Sequence, residues 1–406
     1  MTTRLSGIEE GLTELFRGEE VGAAPPEIVD AALARVATTR QVSRRLRLVR
    51  TEPTGSRSRA FALVAIAATG ATRPDGTDRR ALPTAPAVVQ RPSSSAIASL
   101  PADTLRIGTT IDLPIVPESV VTGFGSVWVA GVTDEYKSPA ELLRINPSTG
   151  DVARVPLSFD ACSNAFDTAP DLQVGFGSLW LSDCKSGAIL RVNPDTYKVQ
   201  ASFSSPSLLH RSISEHLVAF DTRSAFVVRD PRAGTIERVD PATSRATPFV
   251  KVGGEIVDIA VDGSRLWVIA SSVSGRVDGL NSIDVIDIAT KRITTAATFD
   301  NAASLAVVDG DLWVTVGAHD GSKILVVTQG SSPVTFGIGG EAGALVYADG
   351  LVWTTRNRFD LVGIDPVSRE TVHHVALEMV NALAAGDGTM WAVADSTRKL
   401  FGIPLP

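Results

Sequence analysis

Several residue types that would open a route to chemistry are scarce. Only five His, two Cys, three Met and three Tyr occur in 406 residues. The cysteines are not arranged as Cys-x-x-Cys, so a thiolate metal cluster is excluded. Basic residues are outnumbered, 38 Lys and Arg against 45 Asp and Glu, giving a net charge of −7. That balance argues against a nucleic-acid partner, since phosphate binding needs concentrated cations. No phosphate loop, dinucleotide fingerprint or nucleophile elbow occurs.

What the chain does have is repetition. FGSVWVA carries Trp128, FGSLWLS Trp180, GSRLWVIA Trp267, GDLWVTV Trp313, GLVWTTR Trp353 and GTMWAVA Trp391, while SAFVVRD puts Phe226 at the same place. All six tryptophans thus occupy one position of one unit, and successive aromatics stand 52, 46, 41, 46, 40 and 38 residues apart. Such a period belongs to propellers and solenoids. Before each aromatic runs an apolar segment closed in most repeats by Gly or Asp-Gly, the chemistry of a two-residue hairpin turn with φ > 0. After it comes a third segment, as in LLRINPSTG or IERVDPAT, mostly ending in Asn/Asp-Pro-x-Thr/Ser, where the Asx side chain caps its own turn. A fourth short segment leads into the next repeat.

Four antiparallel strands in each of seven repeats predict an all-β, seven-bladed β-propeller over residues 103–406. The last repeat stops after three strands, while LRIGTTIDL (105–113) precedes the first blade without a repeat of its own. It is expected to close the last blade and so remove an open edge. The aromatics are expected to be core, wedged between neighbouring blades at about 2–3 kcal/mol of burial each. Apolar residues at 44% supply ample material for that core.

The recurring G-x-[VL]-W-[VL] and [RV]-[IV]-[ND]-P-x-T resemble the YncE-like, NHL-like and streptogramin-lyase-like seven-bladed propellers. These motifs specify the blade and say little of activity. Streptogramin lyases imply a His general base with acidic residues holding Mg²⁺ near the funnel, but no His and Glu grouping stands in equivalent strands here.

Residues 1–59 are of another kind. Ile28, Ala31, Ala32, Arg35 and Val36 recur at helical spacing after Pro25 and Pro26, predicting a short helical N-terminal extension, with a loose tail as the alternative. Arg40, Arg44, Arg45, Arg47, Arg50, Arg57 and Arg59 then crowd ahead of AFALVAIAATGA, residues 60–71. Basic residues beside an apolar run suit a membrane anchor with its N-terminus in the cytoplasm. The run is about a dozen residues, against the ~17–25 that span a bilayer. PPEIVDAALARVATTRQ followed by this stretch resembles the N-terminal module of actinobacterial single-pass proteins, which implies an extracytoplasmic propeller held to the cell membrane. A soluble protein, cytoplasmic or secreted, with a degenerate span is the other reading. Residues 72–102, rich in Pro, Ser and Ala, read as a linker.

In a propeller, the loops between second and third strands and between blades share one face, and here they vary in length. The long ones are residues 130–141, 158–171, 204–215 and 270–281. Long loops on a rigid scaffold are where binding usually sits. Asp134, Tyr136, Asp183, Arg276 and Asp278 are candidate ligand contacts there, with Arg229, Arg356, Arg358 and Arg398, which follow second strands close to the funnel mouth and would suit an anionic molecule or an acidic segment. An ordinary solvated face is the competing reading. Cys162 and Cys184 fall at one end of the second blade, and a disulfide between them would place the domain in an oxidising compartment. His210 and His319 lie in variable loops and are the candidates for proton transfer or metal binding. No cofactor, metal or nucleic acid is expected. The leading expectation is a non-catalytic binding module for a small ligand or protein; the alternative is a propeller-type lyase or lactone hydrolase using His210 or His319.

Overall fold

The computed structural model describes residues 103–134, 137–160, 171–206, 216–271, 280–300, 302–317 and 323–406. The helical extension, apolar run and linker expected over 1–102 lie outside them. The described residues form seven sheets, each an antiparallel meander of consecutive strands, to which the two N-terminal strands add in blades 6 and 7, and contain no helix. The blades span residues 116–159, 172–204, 218–251, 255–300, 302–337, 342–376 and 382–404, and are numbered 1 to 7 below. The first strand of each is the inner edge of its sheet. These inner strands pack on one another from blade to blade, including blade 7 on blade 1, so the ring is closed.

Local chemistry fixes the turns. Phe124-Gly125, Phe176-Gly177, Asp309-Gly310, Asp349-Gly350 and Asp387-Gly388 all hold positive φ at both residues, the two-residue turn whose twist matches a hairpin. Blade 4 shifts this by one: Asp262 pairs with Arg265, and Gly263 opens the turn. Blade 3 has no glycine there and uses Asp221, whose Oδ1 accepts the Arg223 and Ser224 amides. Between third and fourth strands, Asn146, Asn193, Asp240, Asp287 and Asp365 accept backbone amides from one or two of the three residues that follow. The fifth residue of each such turn is left-handed: Gly150, Tyr197, Ser244, Lys291 and Arg369. These two families of turns make one face of the ring uniformly tight.

Both chain ends enter one sheet. Thr109–Asp112 pairs antiparallel with Lys399–Pro404, Thr109 opposite Gly402 and Asp112 opposite Lys399. The closing strand therefore sits where the sequence placed it. A contact not expected lies just before it: Asp103–Thr104 adds a parallel fifth strand to the outer edge of blade 6, and the Leu105 amide bonds the His374 carbonyl. His373 and His374, on the strand that receives it, are half-buried, and the His373 ring stacks on Trp353.

The seven aromatics are the core. Trp128, Trp180, Trp353 and Phe226 are wholly buried, and Trp391, the least so, is 4% exposed. Trp180 meets Phe220 of the next blade edge-on, and Trp128 meets Tyr197 of the next blade. Trp128, Trp180 and Trp353 each donate Nε1–H to the carbonyl five residues earlier, so the indole's one polar group is satisfied inside its own hairpin. The residue opposite the aromatic on the third strand changes round the ring. It is Arg in blades 1 to 3 (Arg144, Arg191, Arg238), Val in blades 4 and 5, and Gly in blades 6 and 7. Gly363 and Gly402 are needed there, since a Cβ would come within 3 Å of the Trp353 and Trp391 rings.

Two outcomes check this architecture. Deleting residues 105–113 lowers the urea midpoint far more than deleting residues 1–70; equal effects would contradict closure. Trp353→Ala costs about 3–5 kcal/mol in the same assay, the range for emptying an aromatic site in a packed core.

Candidate functional site

Each inner strand begins at the variable-loop face, and in every blade but blade 6, which has Ala344, a polar residue stands directly ahead of an apolar one near its start: Ser119, Asp171, His216, Asp258, Ser304 and Asn381. The next blade takes up most of these groups. Asp171 Oδ2 accepts the Leu217 amide at 2.7 Å, His216 Nδ1 lies 2.9 Å from Asp258 Oδ1, and Asp258 Oδ2 accepts the Leu305 amide at 3.3 Å. Ser304 Oγ accepts the Leu345 amide, and Asn381 Nδ2 donates to the Pro117 carbonyl. A chain of polar contacts thus runs from blade 2 to blade 6 and again from blade 7 to blade 1.

Burial sets the electrostatics of this chain. The Asp171 carboxyl is pushed up to about 6 by burial, partly offset by His216 and by the Leu217 amide. Asp258 is raised for the same first reason, against the opposing pull of His216. The imidazole is oriented by a fully buried carboxylate while remaining about one third exposed. Both Asp258 oxygens also accept backbone amides, Ile259 on one and Leu305 on the other. Structurally these acids are blade connectors. Their desolvation is tolerated because each oxygen that matters has a donor.

Blade 1 is where the pattern breaks. Glu118 is the extra residue of a bulge between Pro117 and Ser119. Its Oε2, the Ser119 hydroxyl and Asn381 Oδ1 are buried without hydrogen-bond partners. Burial, and then the nearby Asp395 carboxylate, push the Glu118 carboxyl up to about 7.

The residues nominated from sequence are distributed as follows. Asp183 is buried, its Oδ1 accepting the Asp160 and Lys185 amides and its Oδ2 the Ser186 hydroxyl, so it pins the loops that flank it. Arg356 pairs with Asp360 at 2.9 Å within its own hairpin. Arg358 crosses from blade 6 to blade 7, bonding Asp395 at 3.2 Å and the Val380 carbonyl. Arg398 is exposed in a left-handed conformation, three residues after Asp395, and its carbonyl accepts the Leu113 amide. Arg358, Asp395 and Arg398 therefore gather at one sector of the mouth, with Asp395 reaching Glu118 electrostatically. Arg229 stands half-buried at the end of the second strand of blade 3. Cys184 is half-buried against the blade 2–3 core, its amide bonded to the Asp160 carbonyl, and no cysteine among the described residues is free. The Asp134 side chain, Tyr136, Arg276, Asp278, Cys162, His210 and His319 lie outside the described residues.

Sequence reasoning did not nominate Glu118, Asp171 or Asp258. The available signal was position: a polar residue directly ahead of the inner strand's apolar pair, as in D-L-Q-V, D-I-A-V and S-L-A-V. Among the described residues, no group of three or more His, Cys, Asp or Glu is arranged to hold a metal ion, and no helix is long and apolar enough to cross a membrane.

No family model matches the chain, and no curated protein matches it in sequence. Solved structures do. Hydrazine synthase of Kuenenia stuttgartiensis aligns at TM-score 0.56 and 12% identity, over 73% of this chain and 97% of that one. The computationally designed Ika8 protein aligns at 0.50 and 14%, over 73% and 99%. BamB from Moraxella catarrhalis aligns at 0.47 and 10%, over 74% and 100%. At such identities the first of these bears on the fold alone.

The raised Glu118 carboxyl predicts a pH dependence. In the native protein it holds its proton to about pH 7, whereas in the unfolded chain it loses it near its ordinary value of 4.5. The native state thus binds more protons between these limits, and stability falls as pH rises through them, by up to about 3 kcal/mol. Glu118→Gln flattens that part of the profile in urea titrations at pH 5 and pH 8. An unchanged slope would mean that the carboxyl ionises freely in the fold.

Proposed function

We propose that the chain is a non-catalytic binding module that recognises a small ligand or a protein on its variable-loop face. The observation that carries this reading is how the polar groups are used. Asp171, His216 and Asp258, at the starts of inner strands, are engaged in joining one blade to the next. On the same face, Arg229 and Arg398 are held at loop ends by rigid hairpins. A scaffold that commits Asp171 and Asp258 to its own rigidity and presents cations at its rim is suited to recognition.

The reading extends to location. An extracytoplasmic propeller, tethered through residues 60–71, is supported by the Arg-rich flank of that apolar run and by the placing of Cys162 and Cys184 in loops at one end of blade 2.

Three measurements test it. Photo-crosslinkers at Arg229 and Arg398 give adducts in cells that the same groups at Ser148 and Ser368, on the tight-turn face, do not; equal labelling from both faces sinks the assignment. Fractionation finds the full chain with membranes and a chain starting at Asp103 in the soluble pool. Non-reducing peptide mapping of protein from its native compartment recovers Cys162 joined to Cys184, and two alkylatable thiols would remove the case for export.

A further inference from the structure

The three third-strand arginines that stack on core aromatics are not treated alike by their neighbours. Arg144 lies over Trp128, bonds Ser126 Oγ through Nε, and reaches across to the Tyr197 hydroxyl of blade 2. Arg191 lies over Trp180, bonds Ser178 Oγ through Nε, and reaches across to the Pro241 carbonyl and Ser244 hydroxyl of blade 3. Tyr197 and Ser244 are both the left-handed fifth residue of the third turn in their blades. That position is therefore the cap that one blade offers to the arginine of the blade before it.

Blade 3 repeats the first half of this device without the second. Arg238 lies over Phe226 and bonds Ser224 Oγ through Nε at 2.7 Å. The left-handed residue that should cap it from blade 4 is Lys291, a cation, and its ammonium sits instead over Phe249, which packs edge-on against Phe226. No group of blade 4 among the described residues bonds the Arg238 guanidinium. On the same face of blade 3, beside Arg238, is an open pocket of about 350 Å³ lined by Arg223, Ser224, Arg238, Asp240, Arg245 and Thr247. Its floor is a set of cross-strand pairs, Arg238 opposite Thr247 and Asp240 opposite Arg245, on one face of the blade.

The charge in this cavity is unbalanced. Three guanidinium groups face one lining carboxylate, Asp240, which is occupied by its own turn through the Ala242 amide and the Thr243 hydroxyl. Asp221, the other nearby acid, is 3.9 Å from Arg238 and accepts the Arg223 and Ser224 amides. We propose that the cavity is an oxyanion site that takes a phosphate or sulfate group, free or esterified, as the fourth member of the Arg cluster. Guanidinium forks match the oxygens of such groups pairwise, and the volume is at the lower end of small-molecule pockets, ~300–1,000 Å³. The site is on the tight-turn face and does not depend on the binding role assigned to the opposite one.

Titration calorimetry of the full chain with inorganic phosphate and with sulfate, at low ionic strength, tests this. One saturable site is expected, weakened at least tenfold in Arg223→Gln/Arg245→Gln. The same loss is expected in Lys291→Ser, which restores the hydroxyl cap that Arg191 already has and so occupies the Arg238 guanidinium. Arg223 and Arg245 are exposed, so the fold of the double variant is retained, and an unchanged urea midpoint verifies it. Glycerol 3-phosphate run beside inorganic phosphate separates the two sources: tighter binding of the ester assigns the site to an attached phosphate, equal or weaker binding to the free ion. Titration without saturation, or an affinity that survives either set of substitutions, overturns the proposal.

Discussion

A flat aromatic ring pressed between two twisted sheets sets the geometry of this protein. Each second strand presents one ring to the following blade, and the sheets are held apart by the thickness of that ring and what packs on it. Because the ring's N–H is satisfied within its own hairpin where an acceptor stands five residues back, the group can be buried without reaching for solvent. The residue opposite then decides how crowded the junction is. Arginine lays a cation over the ring in blades 1 to 3, and glycine lets the indole lie flat against the backbone in blades 6 and 7.

Polar contacts supply what packing lacks, which is registration. Apolar wedges tolerate sliding, whereas a carboxylate that must meet one particular amide of the next blade does not. The Asp171–Leu217 and Asp258–Leu305 contacts, with Ser304–Leu345, fix each inner strand against its successor at the channel end. Arg144 and Arg191 do the same at the opposite end.

The architecture was readable because its signals are local. Asp-Gly turns, Asx-Pro turns and one aromatic per repeat each declare themselves within a few residues, and the unmatched segment ahead of blade 1 announced the closure. The channel contacts were not readable in the same way. They join residues 41 to 47 positions apart, one repeat on, and a lone Asp before an apolar pair looks like an ordinary strand entry. Asp183 illustrates the converse: its loop position suggested a ligand contact, while its oxygens are taken by three neighbours in its own and the preceding loop. The two-residue strand at Asp103 was too short to leave any pattern.

Because the outermost strand of blade 7 comes from the start of the domain, the ring is sealed only when segments from the two ends of the domain meet. The early segment is held by both blades at once, through Asp103–Thr104 and Leu105 on blade 6 and through Thr109–Asp112 on Lys399–Pro404 of blade 7. Without that segment the outer edge of blade 7 is left unpaired and open to pairing with another chain.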